Sequence, residues 1–217
     1  MNPVTKKKYY THEEYLALEE KAEYKSEYHD GEIVPLFREI IDGEVVTMAG
    51  GSPEHSQVSA NIITGLNIAL DDSECITHTS DLKIRVEKVN RSFYTDALVV
   101  CDELEYFNDS KNIITNPMLI VEVLSPSTAD YDKRGKFFYY RQLQSLKEYV
   151  LIDPDEPYVD VYTFHEPGKW LLETYTELSQ NIKLNSTNTE IPMSHIYKKV
   201  NFDKTQKPQD IFKISYG

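Results

Sequence analysis

Two apolar runs, each joined to one carboxylate, constrain the fold of this chain more than any other feature. Residues 97–101 are all apolar or Cys and directly follow Asp96, while residues 118–124 are interrupted only by Glu122. Continuously apolar strands are typically buried on both faces, at the centre of a sheet flanked by helices. The sequence therefore predicts a mixed α/β (α+β) fold in which these runs are neighbouring central strands.

Other helices and strands are predicted around this centre. Thr11 can cap a first helix with Glu14 as its capping-box partner, and Ser52 followed by Pro53 is typical of a second helix start. Helices are predicted at 11–27, 52–70 and 125–144, and strands at 75–79, 82–86, 92–101, 148–153, 158–164 and 170–176.

An Asp-Gly-Glu-Ile/Val-Val element occurs twice, at 30–34 and 42–46. Asp-Gly is a turn signal and the following residues favour a strand, so residues 35–41 resemble an insertion that repeats a turn–strand unit. We expect a β-ribbon here.

Composition indicates one soluble domain. Of the 217 residues, 40% are hydrophobic and 27% charged, and no apolar run approaches the roughly 18 residues of a membrane span. We expect a flexible N-terminus at 1–10, a single domain at 11–197 and a polar tail at 198–217. Cys75 and Cys101 are too few for a disulfide framework or a multi-cysteine zinc site, so a cytoplasmic protein is expected.

The net charge and the absence of several well-known motifs exclude many classes of enzyme. With 23 basic and 36 acidic residues the net charge is −13, which counts against broad electrostatic capture of nucleic acid but is compatible with a locally basic cleft. No Walker-type loop, G-x-G-x-x-G or G-x-S-x-G is present, and His12-Glu13-Glu14 lacks the second His of a zinc protease. Carboxylate and lysine chemistry remains.

Asp96 and Glu122 are the candidate functional pair. Burying an ionised carboxylate costs several kcal/mol unless it is paired or binds a metal. Two carboxylates on neighbouring strands suggest a shared Mg²⁺ or Mn²⁺. The simpler interpretation is that each acid lies at a strand end and faces solvent or an Arg.

The helix after the second apolar strand carries a related set. Asp132, Lys136 and Tyr140 are spaced i, i+4, i+8, so they share one face that can fold back over the carboxylates. Gly135 permits the close approach of another segment. The alternative is an ordinary Asp132–Lys136 surface pair, worth tenths of a kcal/mol.

Several segments also carry a family resemblance. They read AGGSPEH at 49–55, SDLK at 80–83, YTDALVVC at 94–101, NPMLIVEVLSPST at 116–128 and EYVLID at 148–153. Together with the spaced Asp, Lys and Tyr they resemble, in order, the Uma-type family of putative restriction endonucleases in the PD-(D/E)XK nuclease superfamily. The resemblance spans about 11–197 and implies a restriction-endonuclease-like fold with a Mg²⁺-dependent nuclease centre.

The resemblance assigns residues to the motif. Asp96 matches the motif Asp and Glu122 the acid of the (D/E)XK element, whereas Leu124 stands where the superfamily Lys would be. Lys136 is the matching Lys on the following helix. Thr95 replaces the motif Pro, a change in which no side-chain chemistry is lost.

We therefore expect Asp96, Glu122 and the carbonyl of Val123 to hold the Mg²⁺, with Lys136 stabilising developing charge. His55 matches a family His; it would contact a phosphate or position water, or act only as a buried cap.

Supporting residues complete the hypothesis. Asp132 and Tyr140 would hold Lys136 in place. Residues 81–91 have four basic and two acidic side chains, and residues 128–148 have five and three, which indicates locally positive potential. Lys83 and Arg85 are the candidate contacts to a substrate phosphate.

The predicted function is cleavage of nucleic-acid phosphodiester bonds, with DNA as the expected substrate and no membrane partner. A catalytically silent nuclease-fold binding or scaffold protein is the alternative, favoured by the overall acidity. A glycosidase that uses paired carboxylates is a weaker hypothesis, because the 16 tyrosines are scattered too evenly to identify an aromatic platform that binds a sugar. A homodimer is compatible with the resemblance, although the sequence shows no dimerisation motif.

Overall fold

The computed structural model describes residues 9–11, 14, 18, 26–29, 32–35, 37–41, 44–47, 52–108, 110–125, 129 and 131–202. In this part of the chain, two larger sheets and two separate hairpins are present.

The central sheet is mixed and has six described strands in the order β13-β12-β11-β10-β8-β5. Only β10 and β11 are parallel, and the other neighbours are antiparallel. Its strands are β5 (Ile76–Thr79), β8 (Ala97–Val100), β10 (Leu119–Val123), β11 (Glu148–Asp153), β12 (Tyr158–Glu166) and β13 (Lys169–Tyr175). Every residue of β8 and β10 is buried, which confirms the prediction that the two apolar runs are neighbouring interior strands.

A second sheet has the described order β4-β3-β7-β6-β9. Its strands are β3 (Phe37–Ile41), β4 (Glu44–Thr47), β6 (Lys83–Val86), β7 (Arg91–Phe93) and β9 (Ile113–Ile114). The single strand predicted at 92–101 is therefore wrong, because its halves belong to different sheets. The backbone leaves the second sheet after Phe93 and enters the central sheet at Ala97.

The N-terminal part confirms some predictions and corrects one. Thr11 and Glu14 form the predicted capping box, with the Thr11 N–H donating to Glu14 Oε2 at 2.9 Å and the Glu14 N–H to Thr11 Oγ1 at 3.2 Å. The predicted helix end near residue 27 is wrong, since β1 (Ser26–His29) is extended and pairs with β2 (Glu32–Pro35). Cross-strand pairing overrides helix propensity there.

The predicted β-ribbon is present as two hairpins, β1–β2 and β3–β4, and the insertion contributes β3 itself. The second hairpin extends the second sheet through the pair Ile40–Ser92. The turn at residues 30–31 lies outside the described residues.

Helix α1 (Pro53–Ala69) follows the sequence prediction. The Ser52 side chain accepts a hydrogen bond from the His55 N–H at 3.1 Å, and Pro53 occupies the first turn. Val58, Ile62 and Leu66 are buried against one face of the central sheet. The N-terminus of α1 is thereby fixed near the start of β8.

The two faces of the central sheet bury separate clusters. One contains the α1 stripe and a C-terminal unit that the sequence analysis did not predict. This unit comprises β14 (Asn181–Leu184), β15 (Thr189–Pro192) and a short helix, labelled α3 (Met193–Ile196). The other cluster contains Phe93, Tyr140 and Tyr149.

Three further features concern the two cysteines, the last described residues and the length of the helices. Cys75 and Cys101 form a disulfide beside the β5–β8 pair, so the few cysteines do pair. Phe202 packs against Tyr197 and the core, and residues 203–217 lie outside the described part. No helix among the described residues is long and apolar enough to span a membrane.

Candidate active site

The site lies where β8 begins and β10 ends. Antiparallel pairing of the two strands ends at Ala97 opposite Val121, and one position further along each strand are Asp96 and Glu122. Alternation along the strands points Glu122 away from the α1 side and toward the cluster of Tyr140. The register therefore brings the two candidate carboxylates to adjacent positions on neighbouring strands.

Glu122 is buried, with 3% of its surface exposed. Its Oε1 accepts hydrogen bonds from Lys136 Nζ at 3.1 Å and from the Tyr140 hydroxyl at 3.0 Å. A charge-assisted bond and a hydroxyl donor offset much of the cost of burying a carboxylate.

Lys136 is the central cation of the site and is 4% exposed. Its Nζ lies 3.1 Å from Glu122 and 3.2 Å from Asp132 Oδ1, and it also donates to the carbonyl of Tyr94 at 3.5 Å. Asp132 is itself buried. The Asp132–Lys136 pair is thus a buried ion pair, and its interpretation as an exposed surface pair does not apply.

The helix that carries this set differs from the prediction. Residues Tyr131–Lys136 form a π-helix, followed by a short α-helix, α2 (Phe137–Tyr140), so the predicted end near residue 144 is too late. The wider turn still directs Lys136 and Tyr140 to the same carboxylate. π-helical turns are rare in proteins, and those that do occur are often found at functional sites.

Gly135 allows a close approach, but the approaching group is the ring of Tyr131 in the same helix, not another segment as predicted. A Cβ at Gly135 would lie 2.5 Å from Tyr131 Cδ2, closer than atoms can pack. Glycine therefore allows the Tyr131 ring to lie against the backbone one turn later.

Asp96 is more accessible than Glu122, with 18% of its side chain exposed. Its Oδ2 accepts a hydrogen bond from the Val123 N–H at 2.8 Å, and its Oδ1 lies 3.7 Å from His55 Nε2. Burial raises the pKa of Asp96 above the ordinary value of 3.8, against the opposing effects of His55, the Val123 N–H and Lys136. Asp96 is therefore a carboxylate at the opening of a largely buried charge cluster.

Thr95 contributes a bond that a proline could not provide. Its hydroxyl donates to the carbonyl of Val121 at 2.5 Å and lies 3.3 Å from the carbonyl of Ala97. Thr95 thereby ties the start of β8 to β10 just beside Asp96.

The two predicted phosphate contacts lie in different places. Lys83 Nζ is 4.8 Å from the centre of the Tyr94 ring, next to the segment that carries Asp96. Arg85 instead donates to Asn90 and Ser92 and lines a cavity near Cys101, at the other end of β8. Lys83 is thus near the candidate site and Arg85 is not.

Sequence reasoning missed two groups that support the site. The hydroxyl of Tyr149 donates to the carbonyl of Asp132 at 3.0 Å, and the carbonyl of Tyr94 accepts from Lys136. The position of Tyr149 directly before the apolar residues 150–152 of strand β11 was the available signal for it, whereas a backbone carbonyl leaves no trace in a sequence.

The fold and this carboxylate–lysine cluster define a restriction-endonuclease-like protein. The crystal structure of "a putative nuclease belonging to DUF820" from Anabaena variabilis ATCC 29413 has the same fold, with a TM-score of 0.59 and 18% identity, covering 74% of this chain and 89% of that one. A family model described as "Uma2: Putative restriction endonuclease" matches residues 37–194. The chain belongs to the Uma2 family.

Two relatives from Synechocystis match this chain along most of their length. The uncharacterized protein slr1290 of Synechocystis sp. (strain PCC 6803) is 36% identical over 192 residues, covering 88% of this chain and 92% of the relative. The uncharacterized protein sll1609 of the same organism is 35% identical over 172 residues, covering 79% and 90%.

Proposed function

We propose that this protein is a Mg²⁺-dependent endonuclease that hydrolyses phosphodiester bonds of nucleic acid, with DNA as its substrate. The observation that carries the proposal is the convergence of Asp96, Glu122 and the buried Lys136 at one end of the central sheet. Membership of the Uma2 family supports it.

The donor set fits a hard divalent ion. Among the described residues, no three or more His, Cys, Asp or Glu side chains are grouped to hold a metal. Mg²⁺ is usually bound through one or two carboxylates, with water and substrate phosphates completing its shell, so Asp96, Glu122 and the Val123 carbonyl suffice. When bound, the ion would lower the pKa of a coordinated water and polarise a phosphoryl oxygen.

The chain's own residues would orient the Asp96 carboxylate and neutralise negative charge on the substrate. The Val123 N–H fixes one oxygen of Asp96, which leaves the other directed toward His55. Lys136 is held between two carboxylates as an ammonium, so it acts through its charge and stabilises negative charge that develops on the phosphoryl group.

We expect two side chains at the rim to contact substrate. His55 lies in the first turn of α1, where helix N–H groups favour anions, and it can donate to a phosphate oxygen. Lys83, stacked on Tyr94, supplies a positive charge beside the same opening. Arg85 is not part of this proposal, because it lines the cavity near Cys101, at the other end of β8.

One observation favours a catalytically silent binding protein as the second candidate. Lys136 already neutralises Glu122 without a divalent ion, so the buried cluster is stable as a structural ion pair. A silent protein has no need of Mn²⁺, whereas the proposed enzyme binds Mn²⁺ and loses that binding in Glu122→Ala.

The direct experiment measures cleavage of supercoiled and linear DNA, single-stranded DNA and RNA with Mg²⁺, Mn²⁺ or EDTA. We expect cleavage of DNA that requires the metal and falls on the order of 100-fold or more in Asp96→Asn, because the variant removes a metal-binding charge. The matched control is Asp102→Asn, an exposed acid at the opposite end of β8, which keeps wild-type activity.

Absence of cleavage of all these nucleic acids by folded wild-type protein, with calorimetry showing no Mn²⁺ binding, would favour the silent protein instead. Equal loss of activity in Asp96→Asn and Asp102→Asn would contradict the assignment of Asp96.

A further inference from the structure

The outer strand of the central sheet, β13, exposes an apolar edge. Within the described part of the chain, β13 pairs on one side only, with β12. Leu171 and Leu172 are 55% and 51% exposed, although they lie in the middle of a seven-residue strand. Long, apolar, unpaired edge strands are templates for pairing with another strand.

The opposite edge of the sheet is less suited to pairing. Strand β5 has four residues, and its neighbour Cys75 is tied to Cys101. Its one largely exposed apolar side chain is Ile76. The comparison identifies β13 as the edge where a partner strand would find both length and apolar area.

The backbone of β13 has a defined set of outward groups. The Phe164 N–H donates to the carbonyl of Lys147, so the backbone of Phe164 points toward β11 and away from its partner Trp170. Because backbone direction alternates along antiparallel strands, the N–H and C=O groups of Trp170, Leu172 and Thr174 point outward. A second strand must match these groups.

An antiparallel copy of the same strand matches them in a register centred on Leu171. Leu171 then faces its own equivalent, and Trp170 faces Leu172, which brings outward backbone groups opposite each other. Lys169, which also pairs with Glu166 across its own hairpin, faces Glu173 in the same register, giving two symmetric opposite-charge pairs. The neighbouring allowed register, centred on Leu172, would place Glu173 opposite Leu171 and lose these ion pairs.

From this self-complementarity we propose that β13 is a homodimer interface, in which two copies join edge to edge around a two-fold axis at Leu171. The occupant of the edge is a second copy of this chain, selected by the Lys169–Glu173 pairing and the facing leucines. The two central sheets become one continuous sheet, and the two candidate sites lie on the same face of it. The inference does not depend on catalysis.

The experiment measures the mass of the full chain by sedimentation equilibrium over a range of micromolar concentrations. We expect the wild type to form a dimer. Leu171→Lys places two like charges directly opposite each other and should weaken the dimer at least tenfold, whereas Leu178→Lys, an equally drastic change at an exposed leucine outside β13, should not.

The charge pairs test the register. Lys169→Glu alone sets Glu opposite Glu173 of the other copy, and Glu173→Lys alone sets Lys opposite Lys169; each should weaken the dimer at least tenfold. The double variant Lys169→Glu/Glu173→Lys restores opposite charges and should restore dimerisation.

A monomeric wild type overturns the proposal, and so does a dimer that Leu171→Lys leaves unchanged. Failure of the double variant to recover, with all variants folded by circular dichroism, overturns the register centred on Leu171.

Discussion

Glu122 and Glu148 are both buried glutamates on the adjacent parallel strands β10 and β11, yet they are satisfied in different ways. Glu122 is neutralised by a cation, Lys136, and accepts one further hydrogen bond, from the hydroxyl of Tyr140. Glu148 accepts hydrogen bonds from neutral donors only, as far as the described residues show. These are the backbone N–H groups of Asn185 and Ser186 and the hydroxyls of Ser186 and Thr163.

This difference shows two roles for a buried carboxylate: Glu148 binds a loop through hydrogen bonds, whereas Glu122 belongs to a cluster of charged side chains. Burial raises the pKa of Glu148, and its hydrogen bonds with Ser186, Asn185 and Thr163 act in the opposite direction. Glu148 thereby holds the turn between β14 and β15. Glu122 lies beside the accessible Asp96, where the proposed divalent ion would bind. Burial alone therefore does not distinguish the carboxylate of the proposed site from the structural one, whereas the charge of their partners does.

The largest expected effect comes from removing the cation. Lys136→Met leaves Glu122 and Asp132 buried without their common partner, so the free energy of unfolding should fall by about 3–5 kcal/mol. Urea denaturation measures it. Lys133→Met, at an exposed lysine three residues earlier, should change stability by no more than about 0.5 kcal/mol. A similar small change in both variants would show that the buried cluster does not depend on Lys136.

The next effect concerns activity and follows from the proposed function. Glu122→Gln keeps an oxygen for Tyr140 but removes the charge, so the rate of metal-dependent DNA cleavage should fall on the order of 100-fold. Glu148→Gln should stay within about twofold of wild type, because the partners of Glu148 are neutral. Equal losses in the two variants would remove the functional distinction between the two glutamates.

A smaller effect is expected for the structural carboxylate. Glu148→Met leaves the N–H groups of Asn185 and Ser186 buried without an acceptor, so stability should fall by roughly 1–3 kcal/mol. Glu148→Gln keeps one acceptor oxygen and removes the buried charge, so it should lose less. Urea denaturation of the three proteins tests the order, and a Met variant as stable as wild type would contradict it.

The smallest effect is a pH dependence at His78, a half-buried side chain of this sheet. Its Nε2 has no hydrogen-bond partner among the described residues, and burial lowers its pKa below the ordinary 6.5. Below about pH 6.5 His78 binds a proton in the unfolded chain, whereas burial disfavours that proton in the folded protein. The contribution of His78 to the free energy of unfolding is therefore present above this pH and is lost as the pH falls through it.

The measurement compares the free energy of unfolding between pH 7.5 and 5.5. Wild type should lose more stability on acidification than His78→Gln, and the control His165→Gln, at an exposed histidine, should follow the wild type. Parallel curves for wild type and His78→Gln would exclude a contribution from His78.

The sequence predicted the parts of this architecture that local patterns encode. Uninterrupted apolar runs identified β8 and β10, and the i, i+4, i+8 spacing brought Lys136 and Tyr140 to one carboxylate. The roles assigned to the site residues stay predictions.

What the sequence did not predict depends on partners far along the chain. Glu148 is satisfied by residues 37 and 38 positions away, and no local pattern links them. The division of 92–101 between two sheets was missed for the same reason, since the stretch is rich in residues that favour strands and has no Gly or Pro between its halves.

The passage of the chain from one sheet to the other has a mechanical consequence. Three consecutive residues of that passage are each bound to the site: Tyr94 through its carbonyl to Lys136, Thr95 to Val121 and Asp96 to Val123. The second sheet leads directly into this passage, so a change in its angle to the central sheet would pull on these three residues. A distant substitution that tilts the second sheet would therefore shift Tyr94, Thr95 and Asp96 relative to Lys136 and alter the geometry of the candidate site without contacting it.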